Sequence, residues 1–180
     1  MLQGKKISLR PFEERDIENT VKWLNNIEFR SLIDRVLPTT IQERKEWFCS
    51  ISKDKTAVTF AIYLNENNIH IGNCGLINID CRSHRGQLWI YLDMSYIGKR
   101  LGKESINLIL NYAFYSLNLN RIYLYVVSTN VRALKFYEKC GFKNEGKFRQ
   151  HIYLNNEYCD AIWMGILKTE YDPMIFSLNQ

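Results

Sequence analysis

The sequence predicts a single domain of the α/β class: a mixed, mostly antiparallel twisted sheet with helices on both faces, splayed near a strand that ends at Leu92. Three observations carry this. An apolar run (Leu88, Trp89, Ile90, Tyr91, Leu92) enters a short basic glycine loop (Gly98, Lys99, Arg100, Leu101, Gly102), which opens a helical pattern beginning near Lys103. A second β-branched and aromatic run, residues 121–127, follows, so the unit reads as a parallel strand pair with a right-handed helical crossover. Elsewhere, strand-like runs are separated by short Asn-containing turns, the mark of antiparallel hairpins.

Residues 6–10 alternate as a short edge strand that Pro11 ends. Over residues 13–25, Ile17, Val21 and Leu24 share one helical face with Trp23 at its margin, while Glu14, Arg15, Asp16, Glu18 and Lys22 lie largely off it. Residues 26–38 have no clean period and read as a cleft wall. Thr40 and Glu43 form a capping box opening a second helix, with Ile41, Phe48 and Ile51 on its face and Trp47 beside it. Runs 57–64 and 69–79 flank the Asn-rich turn 65–68 as a hairpin, with Gly72 and Gly75 expected at bulges. A polar loop at 80–84 leads into the strand through Leu92. The helix over 103–117 is apolar on nearly every side, so it must be covered on more than one. Asn130 caps a further helix that Gly141 stops. Runs 142–154 and 157–167 then flank Asn155 and Asn156 as a last hairpin. The core is expected over about residues 5–168 of one domain spanning 1–180, with a loose tail from Asp172.

A length of 180 residues is enough for one domain to bury a core unaided, and 46% hydrophobic with 24% charged residues is ordinary globular composition. No apolar run reaches membrane-spanning length, and the amino terminus lacks a signal peptide's apolar core, so a cytoplasmic protein is expected. Cys49, Cys74, Cys81, Cys140 and Cys159 are odd in number and scattered without a C-x-x-C pair, which argues against a metal site or a disulfide framework. A net charge of +5 suits an anionic ligand and gives little support to DNA binding.

A loop that leaves a parallel strand and opens a helix presents unpaired backbone N–H groups and the positive end of the macrodipole, which makes an anion site suited to phosphate. Ile97 and Glu104 exclude the Walker pattern, and the two glycines cannot fill the three-glycine dinucleotide frame. Downstream runs Asn130, Val131, Arg132, Ala133, Leu134, Lys135, Phe136, Tyr137, Glu138, Lys139, Cys140, Gly141, Phe142. Together the two pieces resemble the GNAT superfamily of acyl-CoA-dependent N-acetyltransferases. Its signature is a Q/R-x-x-G-x-G/A loop followed, a strand later, by N-x-x-A-x-x-[FL]-Y-x-x-x-G-F. The second motif matches throughout; in the first, Ile97 and Arg100 replace the leading Gln or Arg and the middle Gly. If position 100 needs a positive φ, an Arg there costs on the order of 1 kcal/mol. The branch most resembled contains the ribosomal-protein N-terminal and spermidine acetyltransferases.

The resemblance implies acetyl-CoA as co-substrate, with no metal. Its phosphates would lie over Ile97, Gly98, Lys99, Arg100, Leu101, Gly102 and Lys103, and its pantetheine arm along the backbone of Ile90, Tyr91 and Leu92. Asn130 and Lys135 would make further contacts. Tyr137 takes the position of the family's proton donor to the departing thiolate, a task a phenol performs without carrying charge. Read without the motif, Tyr137 is a core tyrosine and Asn130 an N-cap.

The general base stays open. Gln87 stands where several relatives carry Glu; Asp93, Glu28, Asp34, His151 or a water chain could serve, and His70 and His84 read as surface or strand histidines. Glu28, Asp34 and Gln87 are the residues expected at the acceptor. Glu28 and Asp34 are balanced by Arg30 and Arg35, which argues against spermidine. Trp23, Phe29, Trp47 and Tyr91 suit a peptide amino terminus, an aminosugar or an antibiotic amine equally. The expected partner is thus a small-molecule amine or a protein N-terminus, with no DNA and no membrane; assembly into a homo-oligomer is left open. Two rival readings are a non-catalytic acyl-CoA sensor on the same fold and a ribosome- or RNA-associated module, the latter suggested by a pI of about 8.9.

Overall fold

A computed structural model describes residues 1–30, 37–154 and 156–176. Among these, eight strands form one sheet: β1 (Leu2–Gln3), β2 (Ile7–Pro11), β3 (Val58–Leu64), β4 (His70–Asp80), β5 (Arg85–Leu92), β6 (Arg121–Val127), β7 (Lys143–Leu154) and β8 (Glu157–Leu167). Their order is β1-β2-β3-β4-β5-β6-β8-β7. Every neighbouring pair is antiparallel except β5 and β6. The expected parallel pair is therefore present, and its register explains the splay. Arg85, Gly86 and Gln87 pair with Arg121, Ile122 and Tyr123, and the ladder ends there. From Leu88 to Leu92, β5 stays paired to β4 alone, while Leu124 to Val127 pair with β8. One edge of β5 is thus left without a strand partner.

Helices cover both faces. The helix α1 (Ile17–Asn25), the short α2 (Ile27–Arg30) and α3 (Ile41–Ile51) precede the central strands; α4 (Leu101–Asn111) and α5 (Val131–Lys139) flank β6. The α4 helix is apolar all round because the main core closes over it. Ile106, Ile109 and Leu110 are fully buried against Ile7, Leu9, Ile122 and Leu124, each worth roughly 1.5–3 kcal/mol relative to exposure. It runs on through a π-helical turn, Tyr112–Ser116. A smaller core on the other face joins Phe12 and Ile17 to Ala61 and Tyr63, with Trp47 and Phe48 of α3 packed on it. The capping box forms as the spacing requires: Thr40 Oγ1 accepts from the Glu43 N–H at 3.1 Å, and Glu43 Oε2 accepts from the Thr40 N–H at 2.8 Å.

Several expectations need correction. The strand beginning at Ile7 is not the edge, because β1 pairs outside it. The β4 glycines are not both bulge positions: the β3 register shifts between Ile62 and Tyr63, opposite Gly72 and His70, whereas Gly75 pairs regularly with Trp89. Glycine is required at 75 for another reason, since a Cβ there would stand 2.9 Å from the Trp89 ring and 2.3 Å from the Val58 carbonyl. The segment after Asp172 is not loose as far as it is described. Pro173–Phe176 forms a 3₁₀ turn packed on α4, and Lys103 Nζ donates to the Ile175 carbonyl at 2.7 Å. Among the described residues, no helix is long and apolar enough to cross a membrane.

Candidate active site

At the carboxyl end of β5, Asp93 caps a 3₁₀ turn, Met94–Tyr96, and the Ile97 N–H closes it onto the Met94 carbonyl at 3.3 Å. The chain then reverses through Gly98 (φ +87°) and Arg100 (φ +65°) into α4. Position 100 does take the left-handed backbone that a Cβ resists, and the helix opens there without a side-chain cap. The N–H groups of Gly98, Lys99, Leu101 and Gly102 make no hydrogen bond among the described residues. Such an end is an anion site by construction. Cations gather round it: Lys99 lies over the Tyr96 ring at 4.9 Å, and Arg132 Nη2 is 3.8 Å from where a Cβ on Gly98 would stand. Lys135 lies exposed on α5, one turn beyond Arg132.

Gly102 couples the two sequence motifs. A Cβ at that position would meet Phe136 Cζ of α5 at 3.4 Å, so the glycine lets α5 lie close on α4. Asn130 caps α5, its Oδ1 accepting from the Ala133 N–H at 3.1 Å. One helical face further on, Tyr137 packs its half-buried ring between Phe136 and Phe142, at 5.2 and 5.6 Å. Its hydroxyl has no hydrogen-bond partner among the described residues, and burial, with Cys140 adding to it, pushes the phenol's pKa well up. Leu101 turns its side chain into the core, so only its backbone faces the loop.

Beside this loop, α1 and α2 face β5 across an open cleft of about 520 Å³, lined among others by Asn19, Trp23, Phe29, His70, Asp93 and Tyr96. Asp93 is fixed from two sides: Ser95 N–H donates to Oδ1 and Trp23 Nε1 to Oδ2, both at 2.8 Å. Burial pushes this carboxyl up, but the bonds from Ser95 and Trp23 outweigh it and hold it below the usual carboxylate range. Behind the cleft wall lies a buried polar chain. The Tyr63 hydroxyl donates to Asp16 Oδ1, and His70 Nδ1 stands 3.7 Å from the same oxygen. His70 Nε2 meets the Gly72 carbonyl at 3.0 Å and Asn73 Oδ1 at 2.9 Å; Asn73 Nδ2 donates to Thr20 Oγ1 at 2.8 Å and to the Tyr91 hydroxyl at 3.0 Å.

The other predicted residues scatter. Glu28 is exposed on α2 and does not line the cleft, although its neighbours Asn26 and Phe29 do. Asp34 lies outside the described residues. Gln87 sits at the last position of β5 paired to β6, its Oε1 accepting from Asn78 Nδ2 at 3.0 Å, away from the cleft. His151 lies on β7 against Phe148 at 5.5 Å, across the sheet from the cleft. Trp47 packs on Phe12 at 5.5 Å in the smaller core and is no cleft aromatic. The Lys103 ammonium is turned to the C-terminal turn, so that residue offers the loop its backbone only. His84 is an exposed turn residue and His70 a strand residue, as read; His70 opens β4, is 7% exposed and also lines the cleft. A histidine and an asparagine three apart in an otherwise apolar strand were the one signal for that chain.

A sheet that parts beside a helix-opening anion loop defines an acyltransferase fold, and the chain belongs to the acetyltransferase (GNAT) domain family, whose model matches residues 6–143. The spermidine N(1)-acetyltransferase of Vibrio cholerae serotype O1 is 29% identical over 168 residues, covering 93% of this chain and 96% of that one. The putative ribosomal N-acetyltransferase YdaF of Bacillus subtilis is 23% identical, covering 94% and 95%. The crystal structure of a Vibrio cholerae spermidine N-acetyltransferase in complex with CoA and spermine superposes with a TM-score of 0.89 at 28% identity, covering 93% of this chain and 99% of that one.

Proposed function

We propose that the protein is an N-acetyltransferase that moves an acetyl group from acetyl-CoA to a primary amine of a small molecule or a protein N-terminus, by direct attack of the neutral amine. The observation that carries this reading is the uncapped N-terminus of α4 set beside the unpartnered edge of β5. The backbone from Ile97 to Lys103 would hold the pyrophosphate, with Lys99, Arg100, Arg132 and Lys135 lowering its charge. The edge of Ile90, Tyr91 and Leu92 turned away from β4, where the β6 ladder has ended, would bond the pantetheine amides as an added strand would, and Asn130 fixes α5 beside them. When bound, acetyl-CoA supplies an activated acetyl thioester.

Tyr137 keeps its proton at neutral pH, because burial raises its pKa, and delivers it to the departing sulfur. Asp93 is held too acidic to be an efficient base near neutrality, and both ring nitrogens of His70 face protein groups behind the wall. Asp93 therefore orients the amine, and the open cleft leaves its proton to exchange with bulk solvent before the neutral form attacks. Likeness to spermidine acetyltransferases supports amine acetylation and leaves the amine to be found. Action in the cytoplasm belongs to this reading, in keeping with five free cysteines, three of them buried.

Calorimetry tests it. Acetyl-CoA should bind, and added salt should weaken the binding because screening reduces the charged part of the contact. No heat of binding at millimolar acetyl-CoA would retire the enzyme reading.

A further inference from the structure

The described cleft holds one carboxylate. Asp93 has both oxygens aimed by donors from opposite walls, Trp23 Nε1 and the Ser95 N–H, and each oxygen keeps acceptor capacity for a third donor. Trp23 also forms the wall beside that carboxylate. Its ring stands edge-on to Tyr91 at 6.3 Å, Phe29 meets the same tyrosine at 5.4 Å, and Tyr96 borders the other side. The only other charged side chain lining the cleft among the described residues is a cation, Lys22, which is paired outward to Glu18 at 3.1 Å.

We infer that the acceptor is a primary amine bearing a single positive charge on a ring with a flat face, docked by its ammonium on Asp93 and by its ring against Trp23 and Tyr96. This rests on the acetyl-transfer reading and names its substrate class. Aromatic walls bind aryl rings and the C–H faces of sugars through dispersion and edge-to-face contact, and they favour a flat body over a flexible chain. A linear polyamine is disfavoured. It brings three or more charges to a cleft whose described lining holds one carboxylate, so its other ammonium groups must be partly desolvated without partners.

The test uses the full chain with three probes, 2-phenylethylamine, glucosamine and spermidine, read by thiol release and by calorimetry of amine binding to the CoA complex. The better ring amine should exceed spermidine in kcat/KM by about tenfold or more, the size expected when charged groups are left unpaired. Asp93→Asn keeps a residue able to cap the 94–96 turn, and should raise the ring amine's KM roughly 10- to 100-fold with kcat little changed. Lys22→Glu, on an exposed helical surface, should shift the preference toward spermidine. Spermidine as the best substrate of the parent, or an unchanged KM in Asp93→Asn, overturns the inference. If no probe is turned over while acetyl-CoA binds, the calorimetric arm decides: ring-amine binding lost in Asp93→Asn upholds the docking role, and no amine binding removes it. Absence of acetyl-CoA binding would remove the transfer reading and this inference with it.

Discussion

His70 is held where neither neutral tautomer satisfies both ring nitrogens. The Gly72 carbonyl can only accept, so Nε2 must carry the proton, which turns the bare Nδ1 toward Asp16 at 3.7 Å with no hydrogen bond of its own. An unmatched buried polar atom costs about 1–3 kcal/mol, and protonating Nδ1 would repair it at the expense of a buried charge. Burial wins: it lowers the His70 pKa from 6.5, against the opposing pull of Asn73, Asp16 and Gly72. The unfolded chain therefore binds a proton below pH 6.5 that the folded chain refuses, and stability falls as pH drops from 6.5 toward the folded pKa. The slope from one group is at most about 1.4 kcal/mol per pH unit. Urea unfolding at several pH values between neutrality and mild acid should show that loss in the parent and a flatter profile in His70→Gln. Equal slopes would mean that His70 does not titrate with folding. No periodicity revealed this histidine, because Asp16, Tyr63 and Asn73 reach it from three separate elements.

The loop and helix at 97–111 were legible because their signals are local. A glycine after a strand, basic residues and a helical pattern are read within one stretch of chain, and the αL backbone at Arg100 was anticipated as a condition on that position. The cleft was less legible, since the sequence offers Asp93 only as one of several candidate bases, and it is α1, bringing Trp23 Nε1 to it, that makes it a cleft carboxylate. Glu28 stands off the cleft lining for a related reason: α2 has four residues, too few for a period to say which of them face the cleft. At the scale of the element, Arg100 bears opposing demands. Its φ of +65° costs on the order of 1 kcal/mol against glycine, while on the proposed reading its charge would serve an anion. Arg100→Gly should raise the unfolding midpoint and weaken acetyl-CoA, with a shallower salt dependence of affinity. Unchanged affinity and salt slope would show that the guanidinium makes no use of its position.

For the molecule as a whole, the organising fact is a sheet whose one parallel pair among the described residues lets go after three residues on each strand. Antiparallel neighbours on both sides hold β5 and β6 apart beyond that point, so the opening is set by the ladders to β4 and β8 and does not depend on a ligand to hold it. Both helices that follow the parted strands, α4 and α5, begin at the carboxyl end of the gap, and Phe136 on Gly102 locks them together. Tyr137 stands on the second of them, its hydroxyl without a hydrogen-bond partner among the described residues. The central claim, that this arrangement transfers acetyl groups with Tyr137 as the acid, is tested most directly by measuring kcat and acetyl-CoA affinity together in Tyr137→Phe. The ring is kept, so affinity should stay within about threefold of the parent, while kcat on a good amine falls roughly 10²- to 10⁴-fold, the usual worth of a general acid. A variant that binds acetyl-CoA equally well and turns over at the parent's rate would contradict the account.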